Sequence, residues 1–269
     1  MGSRGSVDRM SIELLDLARA VALEAGHLAR RRRAEGVRIA ASKSTLADIV
    51  TEADREVEAL IRERLAAERP GDGFLGEESD ATTGTTGITW VVDPIDGTVN
   101  YASGMPSYGV SIAAVREGEA LAGVVRAPAL GETFVAARGE GSFVEADGAR
   151  ESLRVSSEHP AGALIATGFG YDPATHAGDI ATVQAVMPIA RDVRRIGAAS
   201  IDLSYVAAGR LDAYFERGLK PWDVAAGALI VAEAGGAVLT LSADGFGREM
   251  TVAAHPDLAR KIADRVEAE

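Results

Sequence analysis

The chain has 269 residues and a formal net charge of −12, and 47% of its residues are hydrophobic. This length and apolar content suit one large domain or two lobes with a buried core, and they argue against a disordered chain. The negative charge disfavours nucleic acid and anionic membranes as partners, and no apolar run reaches membrane length. Cysteine is absent, which excludes disulfides and thiolate zinc sites and fits a reducing, cytoplasmic compartment.

The first part of the chain is predicted to be helical, after a polar, Gly/Ser-rich segment at residues 1–10 that we expect to be flexible. Apolar residues at helical spacing predict two helices, over 11–33 and 51–67. A polar connector at 43–50 separates them. Thr51 and Asp54 have the spacing of a capping box, with Asp in place of the usual Glu.

The stretch that organises the sequence is Trp90-Val91-Val92-Asp93-Pro94-Ile95-Asp96-Gly97-Thr98. Three apolar residues followed by an acid predict a short buried strand with Asp93 at its carboxyl end. Pro94 has no N–H, so the strand is expected to end there. Gly97 allows a ligand close to the backbone, and Thr98 can begin a helix. Two carboxylates on one turn, beside free N–H groups, suit a hard cation that bridges to a phosphate, and they suit an ordinary turn equally well.

Strands dominate the middle of the chain. Strand-forming runs are predicted over 108–115, 121–127 and 133–137. Turn residues separate them at Glu117-Gly118 and Leu130-Gly131, and Asp147-Gly148 marks another hairpin. Connections this short predict an antiparallel sheet in an N-terminal lobe over 11–158.

Strands and helices alternate from His159 onward, which predicts α/β layering in a C-terminal lobe over 159–269. The predicted strands are 163–167, 193–196, 211–215, 237–241 and 250–254. The predicted helices are 179–190, 198–208, 222–234 and 256–267.

Acidic residues at the ends of these elements each have a simple structural explanation. The pair Glu77-Glu78 follows a short apolar step and would ordinarily face water. Asp223 lies in the first turn of a helix, where an acid compensates the dipole. Asp93 and Asp96 by themselves suit a turn. Only the combination of these motifs in one chain indicates a function.

In that combination the chain resembles the inositol monophosphatase family. The shared motifs, in order, are Gly76-Glu77-Glu78-Ser79, Asp93-Pro94-Ile95-Asp96-Gly97-Thr98, Trp222-Asp223 and Glu233-Ala234-Gly235-Gly236. The resemblance also includes 47–51 and 209–213 and covers nearly the whole chain after residue 10. It implies an α+β fold, a layered αβαβα sandwich of the inositol monophosphatase and fructose-1,6-bisphosphatase type, usually assembled as a homodimer.

The resemblance also implies an activity: Mg²⁺-dependent hydrolysis of a small phosphorylated polyol of the myo-inositol 1-phosphate type, with two or three metal ions and inhibition by lithium. Other phosphate esters stay open as substrates, namely histidinol phosphate, fructose 1,6-bisphosphate and 3′-phosphoadenosine 5′-phosphate. A regulatory homologue that binds transcription machinery is an alternative of a different class. An intact set of metal ligands favours the enzyme.

Site residues follow from the resemblance position by position. The implied metal ligands are Glu77, Asp93, the carbonyl of Ile95, Asp96 and Asp223. The implied catalytic residues are Asp54, Thr98 and Glu77, with Asp54 bonded to the Thr98 hydroxyl near the attacking water. The implied substrate-binding residues are Asp96, Gly97, Thr98, Glu216 and Asp223. Glu216 would contact substrate hydroxyls, and the amides of Gly97 and Thr98 would face the phosphate.

The chemistry of these residues agrees with the implied metal. Carboxylate and carbonyl oxygens suit Mg²⁺, and the absence of histidine from the motifs disfavours zinc. Two ions about 3.5–4 Å apart can activate a water and stabilise the leaving oxygen, so no covalent intermediate is needed. The sequence departs from the family pattern at Tyr101, where Phe is usual, and at Ala198-Ala199-Ser200, where Thr or Ser usually comes first and Ala third. This second departure leaves the choice of substrate open.

Overall fold

The computed structural model describes residues 9–37, 39–42, 49–157 and 160–267. Its helices are α1 (Arg9–Glu35), α2 (Glu52–Glu68), α3 (Thr98–Ala102), α4 (His176–Val186), α5 (Ala199–Ala207), α6 (Pro221–Glu233) and α7 (Pro256–Glu267). Its first nine strands are β1 (Ile39–Ser42), β2 (Ile49–Thr51), β3 (Gly73–Gly76), β4 (Ile88–Asp96), β5 (Gly109–Arg116), β6 (Glu119–Ala127), β7 (Glu132–Ala137), β8 (Ser142–Ala146) and β9 (Ala149–Ser152). The others are β10 (Ala163–Thr167), β11 (Ala190–Arg194), β12 (Ala213–Arg217), β13 (Ala237–Leu241) and β14 (Met250–Ala254).

These elements stack in five layers. Helices α1 and α2 cover one face of a seven-stranded sheet, and α5 and α6 cover the other face. The same two helices also pack on a five-stranded sheet, whose far side carries α7, with α4 packed on α7. Each sheet therefore buries both faces, and the αβαβα sandwich predicted from the sequence is confirmed.

The larger sheet has the order β3-β4-β5-β6-β7-β8-β9, and every pairing except β3 with β4 is antiparallel. Its tight turns use the residues that the sequence indicated. Glu117 and Gly118 both have positive φ, as do Asp147 and Gly148. Two successive residues with positive φ give a turn whose twist matches that of the flanking strands. The predicted antiparallel half of the chain is confirmed.

The smaller sheet has the order β11-β10-β12-β14-β13, with β10 parallel to both β11 and β12. Strands and helices alternate here as predicted. One helix is shorter than expected, because α4 ends at Val186 and a 3-10 turn over Met187–Ile189 follows. Pro188 lacks the N–H that an α-helix needs, and the next residue after this turn already starts β11.

The middle layer joins the two halves of the chain. One apolar cluster combines Val91 and Phe134 of the larger sheet with Ile201 and Ile230 of α5 and α6. The two predicted lobes therefore share a core. Their predicted boundary at 158 and 159 lies outside the described residues, as do 1–8 of the segment expected to be flexible and 43–48 of the predicted connector.

Two element boundaries differ from the sequence-based expectation near the start of the chain. Helix α1 begins at Arg9, inside the segment 1–10. Ile49 and Val50, expected in a polar connector, pair with β1 as part of β2. No helix of the described residues has the length and apolarity of a membrane span.

Strand β4 corrects the prediction that Pro94 ends it, because the strand continues to Asp96. Asp93 pairs with Ser111 of β5 and Asp96 pairs with Gly109, so three steps on β4 oppose two on β5. This irregularity is a bulge, and a bulge accepts a proline because the extra residue is outside the ladder of hydrogen bonds. The bulge leaves both Asp93 and Asp96 buried at the end of the strand.

Candidate active site

A pocket of about 760 Å³ opens where β4, β12 and the starts of α3, α5 and α6 meet. Eight residues of the predicted site line it: Glu77, Asp93, Ile95, Asp96, Gly97, Thr98, Glu216 and Asp223. Asp54 is not on the wall; it is 1% exposed and reaches the pocket only through Thr98. The structure thus brings the whole predicted set together, from positions far apart in sequence.

The bulge of β4 fixes the first acid. The Ile95 amide donates to Asp93 Oδ1 at 3.0 Å, so the carboxylate folds back over its own turn. Across the strand pair, the Ser111 hydroxyl donates to the Trp222 carbonyl at 3.1 Å. This bond ties the larger sheet to α6 directly beside Asp223. The Lys220 amide then donates to the Asp223 carboxylate at 2.7 Å, which places that acid in the first turn of α6.

Burial and mutual repulsion make these carboxylates hard to ionise. Burial is the first cause that raises the pKa of Asp93 well above its usual value, and Glu77, Asp96 and Asp223 raise it further. Burial, followed by the charge of Asp96, raises the pKa of Asp223 to about 8. A cluster of this kind is stabilised by cations of high charge. Among the described residues, however, no group of three or more acidic or histidine side chains is arranged so that it could hold one metal ion.

Thr98 and Asp54 form a second hydrogen-bonded unit. The Thr98 hydroxyl lies 3.2 Å from Asp54 Oδ1 and 3.1 Å from the Ile95 carbonyl, and it can donate to either. The Asp54 carboxylate accepts from the Thr51 amide at 2.8 Å, and the Asp54 amide donates back to the Thr51 hydroxyl oxygen, so the predicted capping box of α2 is present. The Thr51 hydroxyl also bonds the Asp54 carboxylate. Burial raises the pKa of Asp54 to about 6.

Gly97 occupies a position that only glycine fits. Its φ is 84°, in the left-handed region. A Cβ added to Gly97 would lie 3.0 Å from the Ala198 Cβ and 3.0 Å from the Ser107 carbonyl. The turn therefore brings the backbone close to α5. Helix α3 has only five residues, so an anion at this turn would be held by individual amides rather than by a sizeable helix dipole.

Glu216 lies on the opposite wall. The Tyr214 hydroxyl donates to Glu216 Oε2 at 2.6 Å. A Cβ on Gly168 would lie 1.8 Å from that same oxygen, so the glycine leaves the space that the carboxylate fills. Burial raises the pKa of Glu216 to about 7. A partly protonated carboxyl in this place can both accept hydrogen bonds from a ligand hydroxyl and donate to one.

Sequence reasoning missed several residues around this wall. Asp202 is 1% exposed, and its Oδ1 has no hydrogen-bond partner within the part of the chain that the structure describes. Burial and the charge of Glu216 raise its pKa well above the usual value. Its position between Ile201 and Leu203 in an apolar helix was the available signal. Ser200, which bonds Asp96, was noticed only as a departure from the family pattern.

We predict that the metal-free protein loses stability as pH rises from about 4 to about 7. A carboxyl whose pKa is raised on folding stabilises the fold below its unfolded pKa, and that contribution is lost as pH rises through the folded pKa. For Glu216 the window is 4.5 to about 7, and for Asp54 it is 3.8 to about 6. Glu216 should contribute about 2 kcal/mol or less, because the pocket that it lines admits solvent.

Thermal melting in chelator across this pH range measures the effect. Glu216→Gln should flatten the slope, whereas a substitution of the exposed Glu13 should leave it unchanged. A metal-free protein whose melting temperature rises steadily from pH 4 to 7 would contradict the assignment of these raised pKa values.

The layered αβαβα fold, with buried carboxylates at the end of a bulged strand, defines a class of α+β proteins with an acidic pocket between two sheets. Within that class the family can be stated. The model of the inositol monophosphatase family matches residues 11–268, and the chain belongs to this family. The family is one of metal-dependent phosphatases.

Individual relatives agree with this assignment. The chain is 43% identical to an inositol-1-monophosphatase of Mycobacterium leprae, over 92% of this chain and 91% of the relative. It is similar to the solved structure of Mycobacterium tuberculosis SuhB, with 42% identity, a TM-score of 0.83 and coverage of 97% of this chain and 98% of the other. It is 38% identical to a protein of Haemophilus influenzae named Nus factor SuhB, over 86% of each chain.

Proposed function

We propose that this chain is a Mg²⁺-dependent phosphomonoesterase that hydrolyses an inositol monophosphate of the myo-inositol 1-phosphate type. The observation that carries the proposal is that Asp93, Asp96 and Asp223 all line the pocket and that burial raises the pKa of each. Buried acids that repel one another are costly unless a cation or protons neutralise them. Oxygen ligands of this kind fit Mg²⁺.

The residues that would hold the metal are Glu77, Asp93, the Ile95 carbonyl, Asp96 and Asp223. Bound there, two Mg²⁺ ions would lower the pKa of a water and neutralise charge on the phosphate and the leaving oxygen. The chain's own residues position that water. When the Thr98 hydroxyl donates to Asp54, its oxygen can still accept a hydrogen bond from a water in the pocket. Asp54, held by Thr51, keeps the Thr98 hydroxyl in that orientation.

The alcohol part of the substrate would lie against Glu216, whose position Tyr214 and Gly168 fix. A carboxylate that accepts bonds from adjacent hydroxyls favours a polyol over an apolar alcohol. The phosphate would meet the amides of Gly97 and Thr98. Gly97 can approach it closely because it carries no side chain.

Phosphate release by purified protein tests the proposal. We expect turnover of inositol 1-phosphate to require Mg²⁺ and to fall to background in chelator, because the acids alone cannot activate water. Restoring Mg²⁺ should restore the rate, which controls for irreversible unfolding, and lithium should inhibit. Full activity in chelator would contradict the two-metal proposal, and inactivity with every ester of a substrate panel would contradict the enzyme.

A nucleotide is a second candidate for the substrate, because aromatic side chains line the pocket. Tyr171 is 48% exposed and Phe246 is 59% exposed, and both line the wall. Such rings can stack on a base. The substrate panel should therefore include 3′-phosphoadenosine 5′-phosphate, with histidinol phosphate and fructose 1,6-bisphosphate as further members. The homodimer and the cytoplasmic location stay predictions, and a regulatory homologue that binds transcription machinery stays the alternative to the enzyme.

A further inference from the structure

The start of helix α5 depends on a residue from another element. The first N–H groups of a helix need acceptors, which the side chain of the N-cap residue commonly provides. Here the N-cap is Ala198, which has no acceptor. Asp96 of β4 takes that place: its carboxylate accepts from the amide of Ala199 and, at 2.7 Å, from the amide of Ser200. One acid thus lines the pocket and also caps the helix beside it.

The Ser200 hydroxyl adds a further donor. Ser200 Oγ lies 2.5 Å from Asp96 Oδ2, the oxygen that its own amide also reaches. Ser200 is fully buried, so solvent does not compete for its hydroxyl. Both donors of Ser200 reach Oδ2, so Oδ1 is the Asp96 oxygen that Ser200 does not engage.

We propose that Ser200 is a positioning residue that fixes the Asp96 carboxylate so that it meets a cation through one defined oxygen. The proposal rests on the function proposed above, in which Asp96 is a metal ligand. Hydrogen-bond partners of metal ligands orient them, and losing one typically costs about 10–100-fold in metal affinity or activity. Ser200 itself does not line the pocket. The residues of this helix start that do line it, Ala198 and Ala199, have small apolar side chains.

A matched control exists on the same helix. Ser204 is as buried as Ser200, and its hydroxyl donates to the Ser200 carbonyl at 2.7 Å. Removing either hydroxyl deletes one buried hydrogen bond from α5. Only the Ser200 hydroxyl bonds a carboxylate of the pocket. A purely structural role would therefore give the two alanine variants the same phenotype.

The test compares Ser200→Ala with Ser204→Ala by calorimetric titration of the full-length protein with Mg²⁺. We expect Ser200→Ala to weaken Mg²⁺ binding about tenfold or more and to raise the Mg²⁺ concentration for half-maximal activity by a similar factor. Ser204→Ala should stay within about twofold of wild type on both measures. The two variants should melt at similar temperatures in chelator, since each loses one hydrogen bond.

Ser200→Cys provides a second variant if the alanine protein does not fold, because a thiol is close in size but donates only weakly. Ser200→Cys should also weaken Mg²⁺ binding, but by less than Ser200→Ala does. Wild-type Mg²⁺ affinity in the Ser200 variants, or an equal loss in Ser204→Ala, would overturn the proposal. Failure of the proposed function has a different result, namely wild-type protein that binds Mg²⁺ but releases no phosphate from any ester.

Discussion

Asp93→Asn is expected to reduce turnover about a thousandfold or more in saturating Mg²⁺, an effect comparable to the loss of a major electrostatic stabiliser. Asp93 is one of the residues proposed to hold the metal, and its pKa is raised by burial and by Glu77, Asp96 and Asp223 together. Asn keeps the size and one acceptor oxygen, so the bond from the Ile95 amide can persist. What it removes is the negative charge, so Mg²⁺ affinity should fall with the rate.

The same variant should be at least as stable as wild type without metal, because it removes one of several repelling buried charges. The experiment pairs phosphate release in Mg²⁺ with thermal melting in chelator. Asp72→Asn is a useful contrast, because Asp72 accepts hydrogen bonds from Arg69 and from the Trp90 indole and does not line the pocket. That variant should lower the stability of the protein and leave turnover unchanged. Wild-type turnover in Asp93→Asn, or outright unfolding of its metal-free form, would show that Asp93 is only a turn residue.

Thr98→Ala and Asp54→Asn are each expected to reduce turnover about a hundredfold while Mg²⁺ affinity stays close to wild type. The 3.2 Å contact between the Thr98 hydroxyl and Asp54 makes them one unit that orients the water. Residues that act as a unit give non-additive losses, so the double variant should be little slower than either single variant.

Asp54 also caps α2, and the kinetics separate its two roles. Thr51→Ala removes the hydroxyl that bonds Asp54 but leaves Thr98 intact, so it should lower stability by about 1 kcal/mol with a smaller loss of rate. Steady-state kinetics of the four variants, with melting curves, complete the cycle. Independent, multiplying losses for Thr98 and Asp54 would leave Asp54 with the capping role alone.

Local sequence patterns were sufficient to predict those features of the fold that depend on interactions between residues close in sequence. Thr51 and Asp54 are three residues apart, so their capping box was predictable, as were turns such as Asp147-Gly148. Strands β13 and β14 have the predicted ends. Asp93 and Asp96 suit a turn by themselves, and they were assigned to the site because their motif occurs in one chain with the motifs around Glu77 and Asp223.

Interactions between distant residues were not predictable in the same way. Whether Pro94 ends β4 depends on how β5 pairs with it, and the bulge that admits the proline is visible only in that pairing. The bond from Ser200 to Asp96 joins residues 104 positions apart. Such features arise from tertiary packing, which a single sequence does not display.

The bond from Ser111 to the Trp222 carbonyl has a consequence for motion. It fastens the start of α6 to the centre of the larger sheet, so Asp223 can move away from Asp93 only if that bond breaks. A cation held by both acids would add a second, reversible contact between Asp93 and Asp223. Local opening of α6 would then be rarer with metal bound, because a ligand that binds only the closed form lowers the population of every open form. Metal binding at the site would in this way reduce local opening in the middle layer of the sandwich.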